Sequence, residues 1–207
     1  MNIEWFDIVR SIGIWMNGHV SWLKAKEWNV SFQRGSGTAI LNAYHKIWHL
    51  QVTIVKDLAE VNENSELTLI IKNGTKNTKH VRLIIKKDEL NSKSTTVSMV
   101  SSFKQSIVTY EQNRVTLLST SFFQDEHYQL AVGEEEIIWN EHLGTLNLSP
   151  IWRGEHIRMA TISLSLDGYA ERAGRIWFIE GQCEEDLYDE HMNKWLKHQK
   201  NPEQRLS

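Results

Sequence analysis

The chain has 207 residues, 41% hydrophobic and 24% charged, a balance that excludes a disordered or fibrous protein. A net charge of −3 and a pI near 6.3 exclude the cationic face that phosphate neutralisation requires, so no nucleic-acid partner is expected. The single cysteine, Cys183, excludes an intrachain disulfide, and a chain of this length buries a sizeable core as one domain without one.

The N-terminal stretch MNIEWFDIVRSIGIWMNG carries Glu4, Asp7 and Arg10 inside its apolar pattern. It lacks the basic start, apolar run and small-residue cleavage site of a signal peptide. No run in the chain approaches the roughly 20 apolar residues of a membrane span. A cytoplasmic protein, at most peripheral to a membrane, is expected. Ile3, Phe6, Val9, Ile12 and Trp15 recur every third residue, which fits a helix or a short helix followed by a strand.

From there, alternation with period 2 dominates, the mark of strands with one buried face. Trp48, Leu50, Val52 and Ile54 share a face in Trp48–Lys56, opposed by His49, Gln51 and Thr53. Glu66–Lys72 and His80–Lys86 alternate in the same way around the turn NGTKNT. Further strands are expected at Thr95–Phe103, Ser106–Glu111, Val115–Phe123, Tyr128–Val132 and Glu136–Trp139, the last two joined by a hairpin tip at Gly133-Glu134-Glu135. Arg158–Leu166 alternates most cleanly. A loop at DGYAERAG and a strand at Arg175–Glu180 follow. About ten strands with closely spaced turns and no βαβ pattern predict an all-β, two-sheet antiparallel sandwich of jelly-roll type. Glu184–Gln199 places Leu187, His191, Trp195 and His198 on one helical face, with acids first and lysines last, as the helix dipole favours. The expected organisation is a sandwich over 1–183 and a C-terminal helix and tail over 184–207.

Chemistry-bearing motifs are sparse. In HKIWH, His45 and His49 would stand about 13 Å apart on a strand, too far to share an ion, and the zinc-protease pattern needs Glu where Lys46 stands. Four Glu-His dipeptides occur; adjacent side chains point apart on a strand, so none is a catalytic dyad by itself, and turn or helix placements of common residues account for them. No GxSxG elbow occurs. Gly35-Ser36-Gly37 precedes a strand-like run rather than a helix, so it is not a phosphate loop. No metal, cofactor or catalytic residue is expected. The nine tryptophans serve either a core or stacking on sugar rings, with amides and hydroxyls beside them to bond sugar hydroxyls.

The string WHLQVT, Trp48 to Thr53, resembles a strand of jelly-roll carbohydrate-binding modules of the galactose-binding-like type. Ala160 to Gln182, ATISLSLDGYAERAGRIWFIEGQ, is similar to their closing strand pair. Met16 to Lys46 is similar in layout to the N-terminal pattern of the third accessory secretion proteins of the Gram-positive accessory Sec system, though it lacks the Pro before Ser36-Gly37 and has Tyr44 in place of Trp. The resemblance implies a non-catalytic, carbohydrate-binding-module-like adaptor with protein partners, acting in export of glycosylated adhesins. The alternatives are a glycan-binding module of a carbohydrate-active protein, with Trp48, Gln51 and Trp177 near its ligand, and a jelly-roll structural protein of a virion or surface assembly.

Overall fold

The computed structural model describes residues 3–58, 65–88, 96–122 and 127–200. The chain opens with α1 (Ile3–Ser11), β1 (Ile12–Met16), β2 (His19–Trp22), β3 (Trp28–Arg34), β4 (Thr38–His45) and β5 (Leu50–Asp57). It continues through β6 (Ser65–Asn73), β7 (Lys79–Asp88), β8 (Val97–Ser101), β9 (Ser106–Glu111), β10 (Arg114–Phe122) and β11 (Tyr128–Gly133). It closes with α2 (Glu135–Ile138), β12 (Trp139–Asn140), β13 (Thr145–Leu146), β14 (Ile151–Arg153), β15 (Ile157–Leu166), β16 (Glu171–Gly181) and α3 (Glu184–Lys200).

Two antiparallel sheets form the sandwich expected from the alternation. One has five strands in the order β11-β15-β7-β1-β2. The other has nine, in the order β14-β8-β9-β10-β16-β6-β5-β4-β3. Leu41, Leu50, Val52, Ile54, Leu69 and Ile71 of the large sheet meet Ile14, Leu83, Ala160, Ile162 and Leu166 of the small one in a single core, each fully buried. Each large aliphatic side chain so buried contributes about 1.5–3 kcal/mol, which is why a one-residue slip of any of these strands is forbidden.

Both outer faces are partly roofed. Over the small sheet, Ile138 and Leu146 cover Ile84, Ala131 and Met159, with Trp15, Trp22 and Trp139 at the margin. Over the large sheet, α3 covers only the part made of β9, β10 and β16, where Leu187 packs on Val108, Val115, Leu117, Trp177 and Ile179. The outer face of β3, β4 and β5 lies beyond the α3 contacts, and α3 reaches β6 at Glu66.

Three local expectations are corrected. HKIWH is the turn between β4 and β5 rather than the head of a strand: His49 N–H donates to His45 O at 2.9 Å and His49 takes a φ of 50°. Glu136–Trp139 is mostly helix, because Ile137 and Ile138 N–H both donate to Glu134 O at 3.0 Å, so Gly133-Glu134-Glu135 is a strand-to-helix junction and no hairpin tip. The loop at DGYAERAG ends early, since Glu171–Gly174 already pair with Leu69–Lys72 of β6. At the N-terminus the helix-then-strand alternative holds. Ile12–Met16 pairs with both β2 and β7.

Candidate functional site

The register of the large sheet aligns its open face into rows. Asn29, Tyr44, Gln51, Lys72 and Glu171 are successive cross-strand partners on β3, β4, β5, β6 and β16. All five are exposed, Tyr44 by 40%. Two residues along, Ser31, Asn42, Thr53, Ile70 and Ala173 form a second row, and Gln33, Ile40, Val55, Thr68 and Arg175 a third. Four inter-strand steps span roughly 19 Å and three rows roughly 13 Å. The result is a mixed platform in which amides, hydroxyls and charged groups surround the exposed Tyr44 ring, with Ile40, Val55, Ile70 and Ala173 as apolar patches among them.

Neighbouring groups hold the platform's side chains. Thr53 Oγ1 donates to Asn42 Oδ1 at 2.8 Å and Gln51 Nε2 reaches Thr53 Oγ1 at 3.5 Å. Tyr44 Oη and His49 Nδ1 share a hydrogen bond of 2.7 Å, which fixes the phenol against the β4–β5 turn. Beneath that turn, His45 stacks on Trp48 with centroids 4.2 Å apart and meets the Trp28 edge at 4.8 Å. Trp48 N–H donates to His45 Nδ1 at 3.0 Å, so Nε2 carries the ring proton. Burial holds His45 below its ordinary pKa, with Glu27 opposing and His49 adding to the effect. At the β16 end, Glu66 binds both Arg175 and, at 3.1 Å, Lys194 of α3.

The three expected ligand residues fall in different places. Gln51 lies in the first row, open to solvent. Trp48 is half-buried in the turn, where its ring stacks on His45 and packs on the core. Trp177 projects from the same sheet face but is fully buried under α3, and its indole Nε1–H donates to His191 Nδ1 at 3.0 Å. It has no ring face to offer a ligand in this arrangement. The sequence alone does not mark Tyr44, Asn42, Asn29 and Ser31 as site residues. The signal available for them was the polar phase of the alternation in 28–45, which becomes a row only once the register is known.

Other polar clusters are enclosed or mixed in charge. His156 donates from Nδ1 to Gly154 O at 2.6 Å and accepts at Nε2 from Ser98 Oγ at 2.5 Å, while Thr109 Oγ1 bonds Ser98 Oγ. All three side chains are buried, so this Ser-His contact pins β8 and β9 to residues 154–156. A cavity of about 260 Å³ opens between the sheets beside α1, with Ile12, Ile85, Leu67 and Phe178 among its walls and Lys56, Lys87, Arg158, Asp7 and Glu180 around them. Among the described residues no group of three or more His, Cys, Asp or Glu side chains is placed to hold a metal, and no helix is long and apolar enough to cross a membrane.

No protein-family model and no curated protein sequence matches the chain. Solved structures share its fold. A bacterial glucoamylase complexed with acarbose superposes with a TM-score of 0.61 at 13% identity, over 91% of this chain and 31% of that one. A putative kojibiose phosphorylase from the human microbiome gives 0.51 at 14%, over 91% of this chain and 25% of that one. A heparinase III gives 0.52 at 9%, over 84% and 24%. The chain thus spans less than a third of these structures' lengths. What is shared with these carbohydrate-active proteins is the two-sheet sandwich.

Proposed function

We propose that this chain is a non-catalytic glycan-binding sandwich of a carbohydrate-active protein, and that the open face of β3 to β6 receives the sugar chain. The observation that carries this reading is the first row, Asn29-Tyr44-Gln51-Lys72-Glu171. An oligosaccharide lying across the strands meets a hydrogen-bonding group at each step and can set the apolar face of one ring on Tyr44. The shared fold with a glucoamylase, a kojibiose phosphorylase and a heparinase supports a glycan context. Glu66 at the platform's edge is engaged by Arg175 and Lys194, which supports binding rather than glycosidic cleavage by a carboxyl pair.

Calorimetric titration with maltooligosaccharides, kojibiose and heparin oligosaccharides tests the reading. Saturable binding to one series is expected, weakened at least tenfold, about 1.4 kcal/mol, by Tyr44→Ala and by Gln51→Ala. Absence of binding across all three, binding indifferent to both substitutions, or release of new sugar ends would overturn it. A second reading, a protein-binding adaptor such as the accessory Sec likeness implies, is favoured by one feature. Ile137, Leu143, Leu148 and Ile151 are 50–90% exposed within one stretch, and exposed apolar clusters of this kind mark protein contacts.

A further inference from the structure

The helix α3 lies on the same sheet face as the platform and is tied down by polar bonds as well as by Leu187. His191 is 2% exposed. Its Nδ1 accepts from the Trp177 indole at 3.0 Å, so its proton sits on Nε2, which donates to Lys104 O at 2.9 Å. The neutral ring has both nitrogens used. A second proton would place an N–H on Nδ1 against the Trp177 N–H, with both rings shut off from bulk solvent, and two buried donors facing each other are costly.

We propose that α3 is an acid-released cover: protonation of His191 breaks its bond with Trp177 and loosens the helix, exposing a strip of Val108, Leu117, Trp177 and Ile179 continuous with the open face of β6. The proposal stands independently of what the platform binds. Trp177 is the cross-strand partner of Glu66 on β6, two residues beyond Arg175 of the third row. Release of α3 therefore adds an indole to that face.

The charges around His191 favour its neutral form or are otherwise engaged. Lys104, from the β8–β9 turn, holds its ammonium over the Tyr188 ring, 2.8 Å from the centroid. On α3, Lys194 bonds Glu66 of β6 at 3.1 Å and lies 3.8 Å from Glu190. Glu184 accepts from Tyr110 of β9 at 2.6 Å. From β10, Arg114 bonds Glu111 and Glu180, the latter on β16, and Arg175 of β16 bonds Glu66. Burial lowers the His191 pKa from its ordinary value, the bond to Lys104 O opposes this, and the Lys104 charge adds to it. The ring's contribution to α3 docking is therefore complete above pH 6.5, its value when released, and is lost as pH falls through its docked value.

Hydrogen exchange of the Leu187–Lys197 amides, corrected for intrinsic rates, tests this between pH 7.5 and 5. The open fraction should rise by up to tenfold per pH unit in the wild type, as uptake of one proton dictates, while the amides of β5 and β15 stay protected. In His191→Gln, whose amide offers one acceptor and donors without titrating, it should stay flat; in Glu184→Gln it should still rise. A flat wild-type profile, or an equal rise in His191→Gln, overturns the proposal. Should His191→Gln fail to dock, an NMR titration of the wild-type imidazole decides: its midpoint must lie below 6.5 and coincide with α3 opening, and a separate midpoint overturns the proposal.

Discussion

Asn73 shows how much one side chain organises at the sandwich's end. It is fully buried, and its Nδ2 lies 2.7 Å from Asn77 O and 3.1 Å from Leu166 O and Asp167 O. Its Oδ1 accepts from Thr75 N–H, Thr75 Oγ1 and the Lys79 ammonium. One amide therefore binds the β6–β7 turn to the end of β15. Asn73→Ala leaves several of these groups without a partner, each costing about 1–3 kcal/mol, so a loss of roughly 3 kcal/mol is expected in urea unfolding. Its leading position in the NGT string gives no hint of this, since two of the carbonyls it holds lie some ninety residues away. The burial of Trp177 is hidden from the sequence for the same reason. Its strand was legible, but the helix that buries it packs from outside the local pattern, and period 2 cannot say which outer face a distant segment will roof. Gly144 takes a φ of +66°, and a Cβ there would lie 2.5 Å from Trp15 Cδ2, which keeps this turn glycine while Trp15 Nε1 donates to Glu141 O at 2.6 Å.

Elements were read best where one face is core and the other solvent. Ser106–Glu111 and Ile157–Leu166 stand where alternation put them, the latter one residue longer. The turn at HKIWH reads as a strand in the sequence because Trp48 is in phase with Leu50, Val52 and Ile54, although its ring folds back on His45. The helix α3 was legible from its spacing and charge order, and its docking gives a test at this scale. Leu187 is 2% exposed and packs on the Trp177 cluster. Leu187→Ala removes about 2–5 kcal/mol of packing, felt first by the helix that owns it. Exchange in α3 is expected to speed at least tenfold while the β5 and β15 amides keep their protection. Equal acceleration in all three would show that α3 and the sandwich unfold as one unit.

At the scale of the molecule, the sandwich divides its outer surfaces by use. The small sheet is roofed by residues 134–146 and one third of the large sheet by α3, leaving the β3–β6 face as the broad open surface proposed to meet sugar. Two buried histidines, His45 and His191, are held below their ordinary pKa by burial. Both contribute stability that is complete above pH 6.5 and is lost as pH falls through their folded values. Thermal unfolding is therefore expected at lower temperature at pH 5 than at pH 7.5, with a smaller difference in His191→Gln. The sandwich class was legible because strand patterning is local. The platform was legible only in part: Gln51 was named, whereas its neighbours Tyr44, Asn29 and Lys72 meet it only through cross-strand register.

The most direct measurement is a backbone amide NMR titration of the intact chain with maltooligosaccharides, kojibiose and heparin oligosaccharides at pH 7.5. Glycan binding to the platform predicts saturable shifts concentrated at Asn29, Tyr44, Gln51 and Lys72, with the amides of residues 137–151 unmoved. Shifts confined to residues 137–151, or none with any of the three, would contradict it.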